Sequence, residues 1–174
     1  MGYDPAERQI VLLGGSNINY GAPADTWTWN GRTWTQQFPT VSPPWFEQSG
    51  LAYDANMKSL MFLGIDQTGA ATWTWNGLTW TLQSPATSPP QRTAEAMSTW
   101  STLGVVIFSG SSSYNQADTW LWNGVTWAPV VTEAYPSYRY YSGMAYDSAT
   151  HSVLLFGGAT GYPSVALGDT WVLQ

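Results

Sequence analysis

Short apolar runs recur along the chain, each followed by a stretch in which Trp alternates with Thr. The runs are Ile10-Val-Leu-Leu-Gly-Gly15, Leu60-Met-Phe-Leu-Gly64, Val105-Val-Ile-Phe-Ser-Gly110 and Val153-Leu-Leu-Phe-Gly-Gly158. A continuous apolar run of this length, closed by Gly, predicts a strand buried on both faces. The alternating stretches are Asp25-Thr-Trp-Thr-Trp-Asn-Gly-Arg-Thr-Trp-Thr35, Ala71-Thr-Trp-Thr-Trp-Asn-Gly-Leu-Thr-Trp-Thr81 and Asp118-Thr-Trp-Leu-Trp-Asn-Gly-Val-Thr-Trp127. Asp169-Thr-Trp-Val-Leu-Gln174 is a shorter copy. A period of two predicts strands. Asn-Gly between them predicts a tight hairpin turn, because both residues accept positive φ. A third block precedes each apolar run: Gly2-Tyr-Asp, Leu51-Ala-Tyr-Asp, Met97-Ser-Thr-Trp and Met144-Ala-Tyr-Asp. Apolar spacing never settles near 3.6, so no helix is predicted.

The leading Trp residues are Trp27, Trp73, Trp120 and Trp171, spaced by 46, 47 and 51 residues. Four strands repeating at that period predict an all-β fold, a β-propeller of four-stranded antiparallel blades. With strands named a to d in chain order, the blades fall at about 1–37, 50–83, 96–130 and 143–174 of one domain, 1–174. A single blade cannot bury both faces, so stacked blades supply each other's core. Of the 12 Trp residues, only Trp45 and Trp100 stand outside the repeat. The repeated Trp residues are therefore assigned to packing, and Trp45 and Trp100 are the better candidates for function.

The Gly-Gly pairs at 14–15 and 157–158, the Asp-Thr-Trp openings and the Trp-Asn-Gly-x-Thr-Trp hairpins resemble the bacterial kelch-repeat family, related to the propeller of galactose oxidase. The resemblance covers essentially the whole chain. It implies a propeller and leaves function open, since propellers host enzymes, lectins and protein-binding modules alike. Repeat 2 departs from the pattern with a single Gly64 and with Ala71 in place of Asp. Repeat 3 departs with Ser109-Gly110, and with Thr99-Trp100 in place of Tyr-Asp.

Composition narrows the function classes. The chain has 174 residues, 44% hydrophobic and only 9% charged, which suits a folded core rather than a solvated tail. Net charge is −6 with five cations, too few to neutralise many phosphates, so nucleic acid is not an expected partner. Zero Cys removes disulfides, thiolate metal sites and a Cys nucleophile. It also removes the Cys–Tyr crosslink on which galactose oxidase-like chemistry depends. No apolar run approaches the ~18 residues of a membrane-spanning helix, so no membrane insertion is expected. No signal peptide is read at Met1. An extracellular or cell-surface location is the expectation.

Three full repeats and most of a fourth give about 3.75 blades. Kelch rings of six or seven blades need roughly 50 residues per blade. Three arrangements are open: two chains joined in a homodimeric ring of about eight blades, one chain closed as a four-bladed ring, or a fragment of a longer propeller. An open half-ring would leave two apolar faces in water, and a two-fold pairing would bury them reciprocally.

The b–c loops (16–24, 65–70, 111–117, 159–168) and the d–a connections (38–49, 84–94, 130–142) are expected on one face of the disc. Loops on a rigid scaffold are the usual place for binding. Five residues before Leu51, Met97 and Met144 stand Phe46, Arg92 and Arg139, the second and third matching the Arg that the family resemblance implies. With Trp45 and the loop tyrosines Tyr20, Tyr114, Tyr138 and Tyr162, they form the candidate ligand-binding set. One reading is a pocket that stacks sugars or apolar groups on aromatics while Arg holds a carboxylate. The other makes each Arg a strut to backbone carbonyls. Asp25, Asp118 and Asp169, and likewise Asp4, Asp54 and Asp147, are expected to cap turns rather than converge on Ca²⁺.

His151 is the only histidine and falls in an a–b turn. No triad or metal set can be read. Glu47 and Glu95, both in d–a connections, are the one carboxylate pair to check. The expectation is a non-catalytic binding or scaffold module without cofactor or metal. It would self-associate to complete a ring and take a protein or glycan on its loop face. The alternatives are a lectin-like carbohydrate-binding propeller, or a purely structural self-assembling unit or fragment.

Overall fold

The computed structural model describes residues 1–15, 24–44, 50–66, 69–112 and 116–174. Blade 1 is β1 (Gly2–Asp4), β2 (Gln9–Leu13), β3 (Thr26–Trp29) and β4 (Trp34–Gln37). Blade 2 is β5 (Leu51–Asp54), β6 (Ser59–Asp66), β7 (Gly69–Trp75) and β8 (Trp80–Leu82). Blade 3 is β9 (Ala96–Trp100), β10 (Gly104–Phe108), β11 (Thr119–Trp122) and β12 (Trp127–Val130). Each is a four-stranded antiparallel sheet with its strands in chain order. The fourth sheet has three strands: β13 (Gly143–Asp147), β14 (Ser152–Phe156) and β17 (Thr170–Leu173). The fold is all-β, a propeller arrangement of four blades. Among the described residues no helix is long and apolar enough to cross a membrane.

The b strands carry the core, as their apolar runs require. Alternate residues of each run face opposite neighbours. Leu60 and Phe62 pack toward Val11 and Leu13 of blade 1, while Met61 and Leu63 pack toward Val105 and Ile107 of blade 3. Phe108 and Leu155 join blades 3 and 4. Trp100 belongs to the same junction, buried with Val106 and Val153. Its departure from the repeat is thus a packing substitution, which corrects its place among the functional candidates.

The Trp pairs face each other across strands c and d. Ring centroids lie 5.5 Å apart for Trp29–Trp34, 5.3 Å for Trp75–Trp80 and 5.6 Å for Trp122–Trp127. Such pairs add about 0.5–1.5 kcal/mol beyond their burial. The hairpins between them differ from the expected two-residue turn. Trp29 pairs with Trp34, so four residues form the loop, and of Asn30 and Gly31 only Gly31 has positive φ, at 92°. Asn contributes through its side chain instead. Asn30 Oδ1 accepts from the N–H groups of Arg32 and Thr33, and Asn76 and Asn123 repeat this.

Two expected loops hold more structure than their composition suggests. In blade 2, pairing continues through Ile65↔Ala70 and Asp66↔Gly69, with Gly69 at φ 130°. In blade 4, the loop carries a small hairpin, β15 (Ala159–Thr160) with β16 (Val165–Ala166).

Candidate functional site

The expected loop face is built by pairing between d–a connections and b–c loops. Thr93 bridges to Ser111, and Tyr140 bridges to Ala159. Beneath these bridges lie Arg92 and Arg139, both buried. Arg139 reaches both carboxylate oxygens of Asp169, at 2.7 and 2.9 Å. It also donates to the Gly157 carbonyl at 3.0 Å and to the Ser137 carbonyl at 3.1 Å. Arg92 does the same one blade earlier, with Asp118, the Ser109 carbonyl and the Pro90 carbonyl. Each guanidinium is a bidentate tie from a d–a connection to the ends of strands b and c of the next blade. In this geometry the strut reading accounts for their donors, and neither Arg opens toward a ligand.

The aspartates at the start of strand c do more than cap a loop. Besides the Arg, Asp118 accepts from Trp120 Nε1 at 2.6 Å, and Asp169 from Trp171 Nε1 at 2.6 Å. Asp25 accepts from Trp27 Nε1 at 2.8 Å. Partial burial pushes the Asp118 carboxyl up, but its bonds from Arg92 and Trp120 outweigh this and hold it below the usual range. Hydrogen bonds from Arg139 and Trp171 hold Asp169 well below it. The a–b aspartates do cap turns as expected. Asp4 accepts from the N–H groups of Ala6 and Glu7, Asp54 from those of Asn56 and Met57, and Asp147 from that of Ala149.

The Arg–Asp tie explains two departures in the sequence at once. The repeat position of Arg92 and Arg139 is Phe46 in the connection to blade 2, and the position of Asp118 and Asp169 is Ala71 in blade 2. Both partners are missing from the same repeat. Their joint loss was the available sign that they pair. Ser109, in place of the first Gly of Gly-Gly, sits at φ 52°. It offsets this strained backbone by donating to the Gln116 carbonyl and accepting from the Arg139 N–H.

Of the other candidates, Trp45, Phe46, Tyr20, Tyr114 and Glu47 lie outside the described residues. Tyr138, Tyr140 and Tyr141 form a contiguous group, with centroids 6.1 and 5.2 Å apart and the second pair edge-on. Tyr141 is exposed on this face, and Tyr162 is fully exposed at the tip of the blade 4 hairpin. Among the described residues no group of three or more His, Cys, Asp or Glu side chains could hold a metal. His151 lies in its exposed turn, with Nδ1 3.2 Å from the Tyr146 hydroxyl.

A second candidate surface lies on the terminal blades. Across the junctions of blades 1 and 2 and of blades 2 and 3 the indole of a d-strand Trp donates to a Thr of the preceding blade. Trp80 Nε1 reaches Thr26 Oγ1 at 2.9 Å, and Trp127 Nε1 reaches Thr72 Oγ1 at 2.8 Å. Both indoles are 1% exposed. Trp34, the same residue in blade 1, is 44% exposed. On blade 4 the equivalent acceptor Thr170 is exposed, as are Leu154, Phe156 and Val172. Blade 1 thus presents a donor face and blade 4 an acceptor face, the two halves of the interior junction.

No family model and no curated protein matches the sequence. Solved structures do match. One, reported as the structure of YjhT, superposes with a TM-score of 0.60 at 14% identity, covering 85% of this chain and 48% of that one. The chain therefore spans about half the length of that structure. At this identity the likeness is one of fold, and the fold is compatible with a binding or scaffold module.

Proposed function

We propose that the chain is a kelch-type, non-catalytic binding and scaffold module that pairs with a second copy to complete a ring of eight blades, twice the four blades of one chain. The observation that carries this is the match between the two terminal faces. Exposed Trp34 on blade 1 and exposed Thr170, Leu154 and Phe156 on blade 4 repeat the groups that bury each other at the interior junctions. Head-to-tail stacking of two half-rings about a two-fold axis places each donor face on an acceptor face. The apolar areas then leave water together. The completed ring presents the loop connections of both chains on one side, where a protein ligand would dock.

Crosslinking tests the closure, because the chain has no native Cys. Trp34 and Thr170 are each replaced by Cys and treated with a short bismaleimide. A covalent dimer is expected. An internally crosslinked monomer would mean that four blades close by themselves, and no crosslink would mean that the faces do not meet; either result overturns the proposal.

The tyrosine group supports a second reading, a glycan-binding propeller. Tyr141 and Tyr162 offer exposed ring faces beside the loop bridges, the kind of surface on which sugars stack. A glycan array probed with the chain and with Tyr141→Ala decides it. Binding lost in the variant supports the lectin reading, and no binding, or binding indifferent to Tyr141, removes it.

A further inference from the structure

The a–b turns of blades 2 and 4 share one backbone conformation and differ by a hydroxyl. In both, the aspartate that ends strand a pairs with the serine that opens strand b, Asp54 with Ser59 and Asp147 with Ser152. In both, the aspartate Oδ1 accepts from the N–H two residues on, at 2.8 Å from Asn56 and 2.9 Å from Ala149. The residue before each serine lies in the left-handed region, Lys58 at φ 51° and His151 at φ 54°. Three residues after the aspartate stands Thr150 in blade 4 and Met57 in blade 2. Thr150 Oγ1 donates to Asp147 Oδ2 at 2.8 Å and lies 2.7 Å from Ser152 Oγ, so one hydroxyl serves both side chains.

Met57 brings no hydroxyl. It packs instead against the apolar cluster of Ala52, Met61 and Trp122 at the junction of blades 2 and 3. Asp54 and Ser59 are buried, and among the described residues Asp54 Oδ2 and Ser59 Oγ have no hydrogen-bond partner. Residues two apart on a strand share a face, so Asp54 and Ser59 point the way of Ala52 and Met61, toward blade 3. The c–d turn of blade 3 closes over them, where a Cβ on Gly124 would stand 4.0 Å from Asp54 Oδ2. Trp122 Nε1, two residues earlier, is a further buried polar atom of this junction without a partner. A carboxylate oxygen accepts, an indole N–H donates and a hydroxyl does either. Buried together, they are costly unless a polar group is buried with them.

We propose that Asp54 Oδ2 and Ser59 Oγ hold a single buried water molecule, whose oxygen takes the position of Thr150 Oγ1 in blade 4. The water donates to Asp54 Oδ2 and exchanges its second bond with Ser59 Oγ, and Trp122 Nε1 is the donor available to its lone pair. Such a set matches the roughly three bonds of a typical internal water. Water fits better than a cation. Asp54 Oδ1 already accepts from two backbone N–H groups, and an indole N–H offers a cation the positive end of its dipole. The site lies within one chain, so it does not depend on how the ring is completed. It forms a second tie at the a–b turn end of the junction whose other end Trp127 and Thr72 fasten.

High-resolution crystal structures of the 174-residue chain and of Met57→Thr test this. In the parent, one water is expected at about 2.5–3.0 Å from both Asp54 Oδ2 and Ser59 Oγ. In Met57→Thr the introduced hydroxyl should take that position and the water should be gone. Oxygen-17 magnetic relaxation dispersion reads the same change in solution, where the variant should hold one long-lived internal water fewer than the parent. The parent structure decides the site even where the variant does not fold. No ordered peak between the two atoms, a direct Asp54–Ser59 hydrogen bond, or a peak with the coordination shell of a cation overturns the proposal. An equal count of long-lived waters in parent and folded variant overturns it too.

Discussion

Trp127 Nε1 donates to Thr72 Oγ1 across the junction of blades 2 and 3, at 2.8 Å, with Trp127 and Thr72 both buried. The bond ties two blades at the depth where their apolar faces meet, and Trp80 with Thr26 repeats it one junction earlier. A buried indole N–H without an acceptor loses its solvation with nothing in return.

Thr72→Val keeps the shape and removes that acceptor. The expected cost is about 1–3 kcal/mol, read as a lower urea midpoint with an unchanged m value. A matching loss is expected for Thr26→Val. A variant as stable as the parent would show that the indole finds another partner.

The Arg92–Asp118 tie has a different signature. Arg92→Met takes the guanidinium from the Ser109 carbonyl and from the partly exposed Asp118 carboxylate, which keeps Trp120 Nε1 as a donor, and should cost about 1–3 kcal/mol in chemical unfolding.

Acid should remove the same ties through their carboxylates. Asp118 and Asp169 both titrate below their ordinary value in the folded chain. Their stabilisation is therefore complete above the unfolded value of about 3.9 and is lost as pH falls through the depressed folded values. The melting temperature should drop steeply below about pH 4, and Asp118→Asn should flatten that drop while lowering the plateau at neutral pH. A parallel pH profile in the variant would contradict this.

Blade 2 offers the converse experiment. Ala71→Asp places a carboxylate at a buried position without its Arg and should destabilise. Adding Phe46→Arg should recover part of the loss, giving a double-mutant coupling energy of about 0.5–3 kcal/mol. Additive losses would show that the tie depends on more than these two positions.

Blade architecture was legible because it rests on local pattern. The alternation in Thr26-Trp-Thr-Trp29 and the apolar run Leu60–Leu63 each state their own burial, and the repeat places them in register. Side-chain pairing was only half legible. Arg92 and Asp118 are 26 residues apart in sequence, and each alone reads as a loop residue; only the paired absence at Phe46 and Ala71 hints at their contact. Asn30 misled for a related reason, since Asn-Gly is compatible with a shorter turn than the Trp29–Trp34 register allows.

The central claim concerns the terminal faces, and the mass of the particle in solution tests it most directly. Size-exclusion chromatography with light scattering should give twice the 19.1 kDa chain mass across a dilution series, falling to one chain mass in Trp34→Glu. A parent chain that stays at a single chain mass at every concentration would contradict a ring built from two half-propellers.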